Sequence, residues 1–511
     1  MIFMKAKALT ILTADIDNHS SSRTLSIVLL LISVLLLSVL SGVLAAFGNV
    51  ILLIALLGLY GFFFILATPV AWTVWILFWA VFLITGPSAY FIRFSQLQWL
   101  TVLVAAALIL PVLLHLLRSK TSILSTPISS YLIFPAGFLL LVIFSTIIDQ
   151  PQFADFVNAS RHYFLMWPLM LVFMLGLIPQ KMLVQLWKAL MIVAVLQLPM
   201  ALYQYFFVAQ KSARLSPWDA VVGTFPGDIA GGGDSAGMVV MLLIAMLTAI
   251  ALWRERKLHS AWMVLVVLTG LGTLALAEVK ALVMLLPVVI GLYYRKELLR
   301  RPVESTVVMV GVLLLASGLF LTYEKLHYGD SSMHSFNTTK PTSTFEHVSR
   351  ALSPDNESKN LGQLGRVTHL INWWDINVKS GDLHHSLFGY GMGATHTSKM
   401  GVGELVNRFP YKINITSSIV LLWETGILGH LVFLLILLFG ARVSEQAAKN
   451  EAIPEIHRIF LRVGTIGLLL LVMILPYKNV HFYSNPTQFL MMFMLGQAAY
   501  WSRFIKNNIN R

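Results

Sequence analysis

The 511-residue sequence contains no cysteine and little charge. Without cysteine there are no disulfides, no thiolate nucleophile and no cysteine-ligated metal, and either redox compartment remains open. Asp, Glu, Lys and Arg make up 12% of the chain, about half the ~25% of an average soluble domain. The glycine-rich stretches match neither a Walker loop nor a dinucleotide fingerprint. No internal repeat is evident, and paired, interrupted spans in two halves, the mark of inverted-repeat transporters, are missing.

What fills the chain is apolar: 57% of the residues are hydrophobic, as expected where most of the solvent is lipid. The run Leu25 to Phe47 is too long for a signal-peptide core and has no distinct small-residue cleavage site. It reads as a first spanning helix. The expected fold is an all-α, polytopic membrane bundle with spans near 25–47, 50–68, 70–86, 97–117, 131–148, 163–178, 183–207, 236–253, 261–277, 281–294, 306–323, 415–439, 460–476 and 486–501.

The net charge of +13 reflects topology rather than a nucleic-acid partner. If the N-terminus is inside and the spans alternate, nineteen Lys and Arg lie inside, including Arg254, Arg256 and Lys257 and the block Arg295 to Arg301. Short outside loops hold six: Arg93, Arg161, Lys211, Arg214, Lys280 and Lys478. This is the positive-inside pattern, with both termini cytoplasmic. Three regions follow: a bundle at 1–323, a periplasmic loop at 324–414, and three further spans with a cytoplasmic tail at 415–511. The loop carries seven of the fourteen histidines. Within it, Val367, Leu370, Ile371, Trp374 and Val378 share one helical face, and Arg366, His369 and Trp373 share another. An amphipathic helix laid over the bundle is expected, with short helices elsewhere in the loop.

Four places have residues suited to chemistry. Glu278 and Lys280 sit between two apolar spans, either neutralising each other or presenting Lys280 to an anion such as a diphosphate. Gly223-Thr224-Phe225-Pro226-Gly227-Asp228, followed by Gly231 to Ser235, allows close backbone approach and exposed N–H groups before the next helix; a plain outer loop is the other reading. Gly365-Arg366 and Ser386-Leu387-Phe388-Gly389-Tyr390-Gly391-Met392-Gly393 lie in the large loop, where an arginine facing a cavity makes a bidentate oxyanion clamp. In Trp423-Glu424-Thr425-Gly426-Ile427-Leu428-Gly429-His430, Glu424 lies roughly 13 Å into a span at about 1.5 Å per residue. A carboxylate at that depth is a functional candidate, or else a hydrogen-bonded structural group. His384, His385 and His396 have no zinc-like spacing, and no metal is expected.

In this order, the Gly-Thr-Phe loop, Lys280, Gly365-Arg366, Leu387 to Gly393 and Glu424 to Gly429 resemble the O-antigen polymerase/ligase superfamily of bacterial polysaccharide assembly proteins. The resemblance covers roughly residues 160–480. The ligase branch carries a histidine where this chain has Ile415, and the family often has Ser-Arg where this chain has Val279-Lys280. The resemblance therefore implies a polymerase acting on repeat units linked to undecaprenyl diphosphate at the outer face of the inner membrane. It implies no metal, no cofactor and no nucleotide sugar. Flippase and chain-length regulator proteins are the implied partners, beside the lipid itself. The cations expected to meet the diphosphate are Lys280, Arg161, Arg366, Arg408 and Lys412; the proton-transfer candidates are Glu424, His384, His385 and His396. Ligation of glycan to lipid A core or protein is the alternative within the family, and a lipid-linked sugar transporter the alternative outside it.

Overall fold

The computed structural model describes residues 65–93, 97–118, 129–149, 153–212, 217–230, 232–277, 285–328, 364–397 and 402–509, with a few positions between 35 and 61. The chain divides into two units, Met1–Thr68 and Pro69–Arg511. In the first, the described positions are helical up to residue 67. The second is a helical bundle, and no strand occurs among its described residues.

The helices are α1 (Val70–Phe91), α2 (Gln98–Arg118), α3 (Ser129–Asp149), α4 (Phe153–Phe164), α5 (Trp167–Met174), α6 (Gln180–Lys211), α7 (Ser235–Arg254), α8 (Ser260–Leu276), α9 (Leu285–Tyr293), α10 (Arg295–Arg300) and α11 (Pro302–Tyr328). After the large loop begins come α12 (Arg366–Trp373), α13 (Leu383–Phe388), α14 (Glu404–Arg408), α15 (Ser417–Ala448), α16 (Glu455–Ile474), α17 (Val480–Tyr483) and α18 (Asn485–Ile509). Eight of these, α1, α2, α3, α6, α7, α11, α15 and α16, are long and apolar enough to cross a membrane; α8 is a shorter apolar helix. Exposed leucine, isoleucine and valine on α2, α3 and α11 leave wide apolar faces outward, a surface suited to lipid.

The expected spans at 25–47 and 50–68 lie almost wholly outside the described residues, and 281–294 is described only from Leu285. The span expected at 163–178 is divided instead, with a turn at Leu165-Met166 separating α4 from α5. Pro168 in the first turn of α5 is the physical reason: it has no N–H to continue the α4 ladder, and a first turn is where its missing donor costs nothing.

α7 forms the centre. Its residues are apolar all round, so no stripe selects a solvent face, and it is buried along nearly its whole length against α6, α8, α16 and α18. Trp187, Trp423 and Trp501 fill the interior, and Trp187 satisfies its indole N–H on Gln497 Oε1 at 2.8 Å.

Three helices share a polarity of ends. α7 runs from Asp234 to Arg254, α15 from Thr416 towards Glu445, and α16 returns from Glu455 to Ile474. At one end Arg254 pairs with Glu297 at 2.5 Å, Lys257 with Glu455 at 2.7 Å and Arg295 with Glu445 at 2.8 Å. The large loop and the cavity described below occupy the other end, about 30 Å away along a 20-residue helix.

The expected loop helix is present as α12, continued by a π-type turn at Trp374–Val378, but it faces the other way. His369, Trp373 and Asn377 are the buried row, whereas Val367, Ile371 and Trp374 are 42%, 47% and 48% exposed. Leu370 and Val378 of the expected apolar face are partly buried beside that row, so the boundary between the faces is shifted, and which residues meet protein is decided by partners distant in sequence. Trp373 donates Nε1–H to Leu422 O at 3.1 Å, and that bond turns the row inward.

Candidate functional site

The Gly223 loop is built by glutamines inside the bundle. Gln204 accepts from the N–H groups of Val222 and Gly223 at 2.9 and 2.7 Å and donates to Gly223 O at 2.8 Å. Gln197 accepts from Thr224 N at 2.8 Å and donates to Thr224 Oγ1 at 2.7 Å. An irregular backbone inside an apolar bundle needs such partners. Beyond it, Gly227 and Gly233 pair antiparallel and Asp234 N donates to Pro226 O at 2.8 Å, closing a small hairpin. Asp234 then caps α7, accepting from Gly237 N at 3.0 Å on Oδ1 and from the Ser484 hydroxyl on Oδ2.

This hairpin forms one wall of a cavity of about 680 Å³. The other walls are Leu364, Gly365 and Arg366; Lys412, Asn414 and Ile415; and Lys478 to Val480 with Tyr483. Arg366, Lys412 and Lys478 bring three cations to a space that holds one carboxylate, Asp234, among its lining residues. Arg366 is firmly placed: Nε donates to Tyr477 O at 2.8 Å and the guanidinium lies 4.3 Å from the centre of the Tyr477 ring. The Tyr477–Asn479 turn is itself tied down, since Ser417 Oγ donates to Lys478 O at 3.2 Å and Asn479 Nδ2 to Asn414 O at 2.8 Å. Burial pushes the Asp234 carboxyl up to about 7, and its bonds from Ser484 and Gly237 and the nearby Lys478 charge only partly offset this.

Behind Tyr483 lies a second cluster. His396 Nδ1 is 3.0 Å from the Tyr483 hydroxyl, His162 Nδ1 is 3.2 Å from Phe482 O, and the two histidine rings are 4.8 Å apart. Arg161 reaches His162 Nε2 at 3.3 Å and lies over Trp99. Burial, with the Arg161 charge, holds the His396 pKa down to about 4, so its ring is neutral at pH 7. His396 Nε2 is buried without a hydrogen-bond partner.

Glu424 is buried and does not line the cavity. Its Oε2 accepts from Tyr163 at 2.8 Å; its Oε1 accepts from Thr395 N at 3.1 Å and Thr395 Oγ1 at 2.5 Å. It holds the glycine turn onto α15. The turn fits because α15 breaks at Gly426, whose φ of 64° is left-handed. The break leaves carbonyls of the preceding turn to outside donors: Trp423 O takes Tyr390 N–H at 2.8 Å and Glu424 O takes Ser145 Oγ at 3.1 Å. Gly389 and Gly426 let the two backbones touch. A Cβ on Gly389 would lie 2.4 Å from Glu424 C, and one on Gly426 2.3 Å from Leu387 O. Gly391 N donates to the same Ser145 Oγ at 3.1 Å, and a backbone N–H of Gly393 reaches Glu424.

Of the sequence candidates, the cavity thus brings together Arg366 and Lys412; Gly227 lies in the hairpin whose Pro226, Gly233 and Asp234 line it, and Gly223 lies outside the lining, held by Gln204 inside the bundle. Arg161 and His396 sit one layer behind it. Arg408 lies outside the cavity lining, ion-paired with Glu404 on its own helix and over the Tyr390 ring. His385 faces Asp382 and Asp149 instead. Lys280 and Glu278 lie outside the described residues. Lys478 and Asp234 are the cavity's additions. The sequence carried one signal for Lys478, a lysine in a short loop on the side where the charge pattern is poor in them.

The fold and cavity define an all-helical membrane-type protein with a cationic pocket at one end of its central helices. No family model matches the sequence, and no curated protein matches it significantly.

Proposed function

We propose that this chain is a polysaccharide polymerase of the O-antigen type, a metal-independent glycosyltransferase that joins undecaprenyl diphosphate-linked repeat units at the outer face of a bacterial inner membrane. The observation that carries the reading is the cavity with Arg366, Lys412 and Lys478, set at the helix ends opposite the Arg254, Lys257 and Arg295 ion pairs. Under the positive-inside rule that basic end is cytoplasmic and the cavity opens outside. Fourteen spans, cytoplasmic termini and a periplasmic loop at 324–414 complete the topology.

In this reading the donor glycan's diphosphate lies among the three cations, and its polyprenyl chain runs along the apolar outer surface. A hydroxyl of the incoming unit attacks the anomeric carbon. The C–O bond to the diphosphate breaks, the diphosphate departs with its lipid, and the acceptor proton passes to Asp234. Cations fixed in advance act where negative charge develops, and a carboxylate with proton affinity near neutrality suits a general base. Glu424, which does not line the cavity, becomes the anchor of the loop; Arg161 and His396 support Tyr483 from behind. Ile415 lies on the cavity wall, where the resemblance puts a histidine in the ligase branch. An apolar residue at that place favours polymerisation over ligation.

The test is polymer formation in membranes carrying Arg366→Ala or Lys478→Met. Both are expected to insert normally and to leave single repeat units unjoined. Parental chain lengths in both variants would remove the cavity from the reaction.

A further inference from the structure

A second group of side chains converges away from the cavity. Asp149 is the last residue of α3, and His384 and His385 lie in the first turn of α13. His385 Nε2 is 3.4 Å from Asp149 Oδ1, and His384 Nε2 is 3.6 Å from the same oxygen. All three ligand atoms lie within 4.8 Å of one another. His384 Nε2 and Asp149 Oδ2 are buried and have no hydrogen-bond partner.

The proton positions follow from the other side of the His385 ring. Its Nδ1 is 2.6 Å from Asp382 Oδ2, and an ionised carboxylate only accepts, so Nδ1 carries the proton. The Nε2 edge of the same ring faces an Asp149 oxygen. Tyr390, stacked on the ring with centroids 3.8 Å apart, stops it from turning away. A nitrogen and a carboxylate oxygen facing each other in this way are held together by a cation between them, a proton or a metal ion. Two ligand atoms each about 2.1 Å from a tetrahedral ion are about 3.4 Å apart, close to the separations observed. A carboxylate on the far nitrogen of a metal-bound histidine is also the usual orienting partner.

We propose that Asp149, His384 and His385 bind one divalent transition-metal ion of the zinc type, with Asp382 orienting His385. Two imidazole nitrogens and one carboxylate oxygen suit such an ion and not the all-oxygen preference of calcium or magnesium. The ion joins the large loop to the end of α3. It reinforces the bonds from Gly391 N to Ser145 Oγ and from Met392 N to Thr146 Oγ1, which link the same two elements. Its role is structural and independent of the proposed polymerase chemistry.

Untagged protein, purified in detergent and stripped with chelator, tests this by calorimetric titration with Zn²⁺ and by thermal melts. The expected result is one saturable site per chain at micromolar or tighter Kd, with Tm raised by Zn²⁺ and not by Mg²⁺. Affinity is expected to fall at least tenfold in His385→Ala and in Asp149→Asn and to persist in His396→Ala. X-ray absorption of the zinc-loaded parent needs no variant to fold and is expected to show two imidazoles in the coordination shell. The absence of saturable binding, a shell without imidazole, or equal affinity in His385→Ala would each overturn the site and show that His385 and Asp149 are held by a proton alone.

Discussion

Three separate stretches of chain deliver the cavity's cations, and each is held differently. Arg366 is locked by the Tyr477 carbonyl and ring, whereas Lys412 is exposed. Replacing the locked group removes preorganised charge, so Arg366→Ala is expected to lower polymer formation by about 10²–10³-fold, the range for one lost oxyanion-stabilising donor. Lys412→Ala is expected to cost far less, because a flexible, solvated ammonium is weakly preorganised. A polymerisation assay on membranes matched for protein level checks both, and equal losses would deny that fixed geometry matters. Asp234 sets the pH dependence. Its carboxyl keeps its proton below about 7 and releases it above, so a rate that needs the base rises with pH through about 7 and levels off beyond. Asp234→Asn is expected to abolish that limb together with most of the activity. A parental pH profile in that variant assigns the proton transfer to another group.

At the scale of elements, the closest approach of the large loop to the bundle among the described residues that a glycine permits on both sides is the Gly389 turn in the Gly426 break of α15. An added methyl at Gly426 meets the Leu387 backbone and also sits at φ 64°, where L side chains are strained. Gly426→Ala is expected to destabilise the protein by about 2–4 kcal/mol, seen as a lower Tm in detergent and a lower membrane level. Gly137→Ala, where an added methyl meets nothing within 4 Å, serves as the comparison. Glu424→Gln is expected to be milder than Glu424→Ala, since the amide retains an acceptor for Thr395 or Tyr163. The glycines and the deep carboxylate stood out in the sequence because both residue types are out of place in a span. Their shared purpose did not, because it depends on contacts between residues some 30 positions apart. Similarly, an amphipathic helix at α12 follows from its periodicity, but which residues turn inward depends on partners distant in sequence, among them the Leu422 carbonyl that accepts from Trp373 Nε1. Lys478 was legible only as a charge in a loop, since the other cavity walls come from residues 226–234, 364–366 and 412–415.

For the molecule as a whole, the apolar runs carried the all-helical, membrane-type class and eight helices long and apolar enough to span among the described residues, because lipid leaves a chain few alternatives to spanning helices. The opposite ends of α7, α15 and α16 give the topology a direct check. The chain has no cysteine, so single cysteines at Lys379, beside the loop helix, and at Glu451, beyond α15, report without background. A membrane-impermeant maleimide on intact spheroplasts is expected to label the Lys379→Cys variant and to spare Glu451→Cys until the membrane is opened. The reverse pattern would invert the protein and move the cavity to the cytoplasm. The central claim, that the cavity joins lipid-linked repeat units, is tested most directly by the glycans that remain on undecaprenyl diphosphate in a deletion strain carrying either the parent gene or Arg366→Ala. Long glycans are expected with the parent, and single repeat units accumulating on the outer leaflet with Arg366→Ala. Long, unattached lipid-linked chains in the variant would instead indicate a ligase, and repeat units held on the inner leaflet a transporter; either result contradicts a polymerase.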